Sequence, residues 1–176
     1  MNQSEMKSFL KDLNADEASR ILSILLGDNQ ELIKKAYEIA METVCDVDAD
    51  EISGDVYYEL DGLDVDELYS HSGRTRGGYV EPYDKAYEMF EDALAPFIDE
   101  MKKSQKRGLP EAAKTHCIGI IKGLLMFDEE SNSDFKDWIT DAPRDYVSTV
   151  IKEWKKGSPS NEDIADVTDI MKGGLS

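Results

Sequence analysis

Basic residues are scarce in this chain. Twenty Lys and Arg stand against 38 Asp and Glu, a net charge of −18 over 176 residues. Such a surface repels nucleic acid and anionic membranes, so neither is expected as a partner; it suits a basic protein, a cation, or solubility alone. Cysteine is scarcer still. Cys45 and Cys117 are the only two, both inside apolar helical patterns, so no disulfide framework is available and a reducing, cytoplasmic compartment is expected. Apolar runs of membrane length are also missing. The longest, 117–127, is interrupted by Lys122, and the first residues, Met1-Asn2-Gln3-Ser4-Glu5, carry neither a basic start nor an apolar signal core. No alternating apolar–polar segment is long enough to build a sheet.

What the chain does have is a succession of helix signals. Asn14 with Glu17 forms a capping-box pattern ahead of the stripe Ala18, Ile21, Leu22, Leu25 and Leu26, which Gly27 ends. Asp28 with Glu31 is read as the start of the next helix, with Ile33, Ala36, Tyr37, Ala40 and Val44 on its face. Shorter helices are expected around Ile52, Val56 and Leu60, and from Asp64 through Tyr69. Pro82 suits the first position of the longest helix, whose stripe runs Tyr83, Ala86, Phe90, Ala93, Leu94, Phe97 and Met101. Pro96 lies within that stripe and predicts a kink or break near Ala95. Gly108 stops this helix and Pro110 starts another, carrying Ala113, Cys117, Ile120, Ile121, Leu124 and Leu125. Asp141 is read as the cap of a helix with Tyr146, Val147, Val150, Ile151 and Trp154 inside, and Ser160 with Asp163 as the start of the last. The fold class is therefore all-α: an array of antiparallel helical hairpins, either HEAT-like and solenoidal or an irregular bundle. One domain over 1–176 is expected, with 1–13 and 173–176 peripheral.

Five constellations bear on function. From Ala36 to Gly73 there are twelve acids and no Lys or Arg. Asp46, Asp48 and Asp50 have the spacing of a calcium loop, but Glu51 replaces the required glycine and Tyr57 the bidentate glutamate, so helix-capping carboxylates are the favoured reading. Cys45, His71, His116 and Cys117 lack metal-ligand spacing, and no base is paired with either thiol. No metal, no cofactor and no catalytic residue is assigned. Gly119-x-x-x-Gly123 implies close approach of two helices in the core. The aromatic side chains are expected mostly in the core, with Tyr57–Tyr58 and Tyr83–Tyr87 available to line a groove.

The fifth is the stretch 70–82, expected to be an irregular loop. Its three glycines and its basic residues Arg74 and Arg76, flanked by His71, Ser72, Thr75 and Tyr79, make it the candidate ligand or partner site. No Walker or dinucleotide fingerprint is present. The alternative is that the two arginines pair with the chain's own upstream carboxylates and pin the loop down, and the twelve acids favour it.

The run Ser-Gly-Arg-Thr-Arg-Gly-Gly-Tyr-Val-Glu-Pro at 72–82 resembles the signature of a family of uncharacterised bacterial and archaeal all-helical proteins. The likeness extends through Ala86, Pro96-Phe97, Gly119 to Leu124 and Trp138, about residues 50–142. It implies a helical, HEAT-like fold and no reaction. Zinc-finger modules accompany some members, but this chain has no cysteine cluster to carry that role over. The function expected is a noncatalytic protein-interaction or adaptor module. The alternative is a small-anion or phosphate sensor, or an enzyme, built on the 70–82 loop. Oligomeric state stays open.

Overall fold

The computed structural model describes residues 2–75 and 78–173, apart from the side chains of Glu42, Val44, Cys45, Arg74, Thr75, Met171, Lys172 and Gly173. The chain is all-α and divides into two units, 1–44 and 45–176.

The first unit holds α1 (Gln3–Lys11), α2 (Ala15–Leu26) and most of α3 (Gln30–Cys45). Asn2 with Glu5 and Asn14 with Glu17 form complete capping boxes, each asparagine accepting a backbone N–H at 2.9 Å. The segment 1–13 thus carries a capped helix that the apolar stripes alone did not announce. Asn29, one residue after the expected Asp28, caps α3 by accepting from the N–H groups of Glu31 and Leu32. Gly27 ends α2 at φ 40°, where a Cβ is disfavoured. No residue of α1 or α2 is buried.

The second unit has a continuous core. Its helices are α4 (Ala49–Asp61), α5 (Val65–His71), α6 (Pro82–Lys106), α7 (Pro110–Glu130), α8 (Ala142–Lys155) and α9 (Asn161–Gly173), with a 3₁₀ turn at Asp134–Trp138. α7 is the central element and packs on α4, α6, α8 and α9. Phe90, Leu94, Met101, Ile120, Ile121, Leu124, Phe127 and Phe135 are fully buried around it.

The two glycines of α7 explain its closest contact. A Cβ at Gly119 would lie 2.6 Å from Ile52 Cβ and 2.9 Å from the Ala49 carbonyl. One at Gly123 would lie 2.6 Å from Val56 Cβ and 2.8 Å from the Ser53 carbonyl. α4 therefore sits against α7 at a distance that only glycine permits. The helical cost of two glycines, about 2 kcal/mol, is offset by burying Ile52, Val56 and Leu60.

Pro96 does not break its helix: α6 runs unbroken from Pro82 to Lys106. Pro96 is exposed, so the backbone carbonyl that loses its partner is on the side water can reach. Gly108, at φ 71°, ends α6 in a Schellman turn, with its N–H donating to Gln105 O and that of Leu109 to Ser104 O. Asp141 precedes α8 without a side-chain capping bond. Ser160 caps α9, accepting from Asp163 N–H at 3.1 Å.

Candidate functional site

The segment between α5 and α6 is a short β-hairpin rather than an irregular loop. Gly73–Thr75 (β1) pairs antiparallel with Gly78–Val80 (β2), in register Gly73 with Val80, Arg74 with Tyr79, and Thr75 with Gly78. Glycine is needed at both ends of this ladder: Gly73 has φ 82° and Gly78 φ 135°. Three-residue strands are too brief for an alternating pattern, which is why the sequence shows only the glycines. Arg76 and Gly77 lie outside the described residues, as do the side chains of Arg74 and Thr75, so the choice between paired and ligand-binding arginines is not decided at those positions.

The described neighbours of the hairpin are informative. Asp64 caps α5, accepting from Asp66 N–H at 2.7 Å, and Leu68 anchors the helix in the core. His71 ends it. Its Nδ1 lies 3.0 Å from the Glu67 carbonyl oxygen and 2.9 Å from Ser70 Oγ. Ser72 is half-buried, and Tyr79 is 66% exposed on β2.

His71 opens onto a cleft of about 330 Å³ between α4, α5 and α6. Its floor is Leu63, Met89 and Ala93; its rim is Glu59, Glu67, Asp92, Lys85 and His71. Lys85 is already committed to Glu88 at 3.0 Å. Among the described residues, three carboxylates therefore face one paired cation and one imidazole, a balance that favours positive charge. Sequence reading singled out His71; Glu59 and Glu67 stood only among the twelve acids of 36–73, and the residues across the cleft were not found. Lys85, Met89 and Asp92 follow one another at helical spacing on the side of α6 away from its aromatic stripe, a second face that the pattern contained.

The other sequence candidates are dispersed. Asp48 caps α4 by accepting from Asp50 and Glu51 N–H groups, and Asp50 accepts from Lys122 Nζ at 2.7 Å. These two members of the calcium-like triplet thus serve the fold. No group of three metal-ligating side chains occurs among the described residues. Burial pushes the Cys117 thiol up to about 12, so it is not a ready nucleophile. The Cys45 side chain lies outside the description. His116 is half-buried with Nδ1 unpartnered, and desolvation holds its pKa below the usual value, opposed by Glu100.

The tyrosines depart from the expected core placement: Tyr58, Tyr69, Tyr79, Tyr83 and Tyr87 are exposed. Tyr83 and Tyr87 sit about half a turn around α6 from Lys85, Met89 and Asp92, and do not join the cleft. Tyr69 stacks edge-on against Trp138 at 5.7 Å, and Tyr146 against Phe90 at 5.4 Å.

No helix among the described residues is long and apolar enough to cross a membrane. No protein-family model, curated protein or solved structure matches this chain.

Proposed function

We propose that the chain is a noncatalytic binding module of the cytoplasm, and that its second unit recognises a positively charged segment of another protein at the cleft beside the hairpin. One observation carries the reading. Glu59, Glu67 and Asp92 converge over an apolar floor, while the only lysine on the rim is occupied by Glu88. A lysine or arginine side chain fits such a cleft, its methylene stem on Leu63 and Met89 and its head among the carboxylates. Membership of the helical family suggested by residues 72–82 remains part of this proposal and adds no activity to it. The same carboxylates oppose an anion on the His71 side of the hairpin.

The test is a titration of a fluorescent Lys/Arg-rich peptide into the full chain at two salt concentrations. Glu67→Gln with Asp92→Asn should weaken binding about tenfold, roughly 1.4 kcal/mol. A control with Glu111→Gln and Glu162→Gln removes the same charge elsewhere and should change little. Equal losses in both double variants would reduce the effect to net charge and sink the cleft. Saturable thermal stabilisation by inorganic phosphate or nucleotides, lost in Arg74→Ala with Arg76→Ala, would favour the anion reading instead.

A further inference from the structure

The first unit is amphipathic, and none of its described residues is buried. Ten large apolar side chains in 1–44 are between 38% and 72% exposed, from Met6, Phe9 and Leu10 on α1 to Leu25 on α2 and Ile39 on α3. Two complementary shapes occur among them. Met6, Phe9 and Leu10 form a ridge along one face of α1. Leu22, Leu25, Leu26, Leu32, Ala36 and Ile39, with Lys35 beside them, line a mostly apolar cleft of about 320 Å³ between α2 and α3, with no lining residue from α1. A stretch of this length cannot hold three helices together without burying such surface.

We infer that the occupant is a second copy of this chain, with the α1 ridge of each copy seated in the α2–α3 cleft of the other. Three features select that partner. The ridge and the cleft together offer apolar surface on the scale of the roughly 800 Å² per partner of a standard interface. Residues 1–44 hold eight acids and five bases, leaving thirty acids and fifteen bases beyond, so these helices carry little of the charge that would drive two copies apart. Finally, the exposed large hydrophobics of the second unit are all tyrosines among the described residues, so the exposed aliphatic surface of this chain is concentrated in the first unit, where a second copy offers its match. Seated reciprocally about a two-fold axis, with each ridge in the other copy's cleft, the contact is isologous and closes at a dimer.

The full chain should sediment at micromolar concentration with twice the mass of one copy. Phe9→Glu and Leu25→Glu, each made singly, should weaken association at least a hundredfold and leave tryptophan fluorescence unchanged, since Trp138 and Trp154 both lie in the second unit. Because a glutamate can also melt its own helix, a second measurement uses cysteines. Phe9→Cys chains mixed with Leu25→Cys chains should give a covalent dimer under mild oxidation, above the level of the parent chain. Monomers at all concentrations would overturn the inference. So would a dimer indifferent to both glutamates, or a Phe9→Cys, Leu25→Cys double variant that closes only within one chain.

Discussion

The two units are written in the same helical grammar and end differently. Residues 15–26 carry as clean an apolar stripe as 142–155, and both helices begin at a recognisable signal. Val147, Val150 and Trp154 are buried; Leu22, Leu25 and Ile24 are exposed. The stripe states which side of a helix avoids water, and a second element must exist to satisfy it. In 45–176 that element is α7. In 1–44, three helices share too little area to enclose any side chain among the described residues.

Substitutions in the two units should therefore separate by size of effect. Phe90→Ala removes a fully buried ring and should cost about 3–5 kcal/mol, read by tryptophan fluorescence in urea. Leaving the midpoint unmoved would mean that the second unit, too, lacks a cooperative core. Gly123→Leu should cost about 1–3 kcal/mol, because Val56 and the Ser53 backbone occupy the space.

A smaller effect is pH-dependent. His116 favours its neutral form in the folded state, so the unfolded chain binds more protons below its ordinary value of about 6.5. This penalty is absent above that pH and grows as pH falls through it toward the depressed folded value. The melting temperature of the parent should fall more between pH 7.5 and 5 than that of His116→Gln. Parallel curves would mean that the imidazole is solvated when folded. The smallest effects come from positions with open space around them. Gly54→Ala, with nothing within 4 Å, should stabilise α4 by up to about 1 kcal/mol. Leu25→Ala in dilute protein should shift the unfolding midpoint by less than about 0.5 kcal/mol. A cost like that of Phe90→Ala would erase the contrast between the units.

Local chemistry was the legible part. Asn14 with Glu17, Pro82, Gly108 and Ser160 act within a few residues of themselves, and each marks its helix end in the structure. The Gly119 and Gly123 pair was also readable, since two helical glycines one turn apart need a neighbour. Where two signals competed, sequence alone chose less well: Asn29 outcompetes Asp28 for the cap, and Pro96 survives because its side of α6 is wet. The cleft was only half legible. Glu59 and Asp92 are brought together by the packing of α4 and α5 on α6, a relation that no local pattern encodes.

The position of α7 has a consequence for how the chain is made. Residues leave the ribosome in order, and α4 emerges long before the glycine-marked surface on which it rests. Until residues 119–123 are synthesised, Ile52 and Val56 have no cover from α7. Folding of the second unit is thus held back until its middle helix is complete, and then α8 and α9 arrive onto a surface already formed. A nascent chain stopped before Pro110 should remain open to proteolysis between 49 and 106, while one extended past Glu130 should begin to resist it.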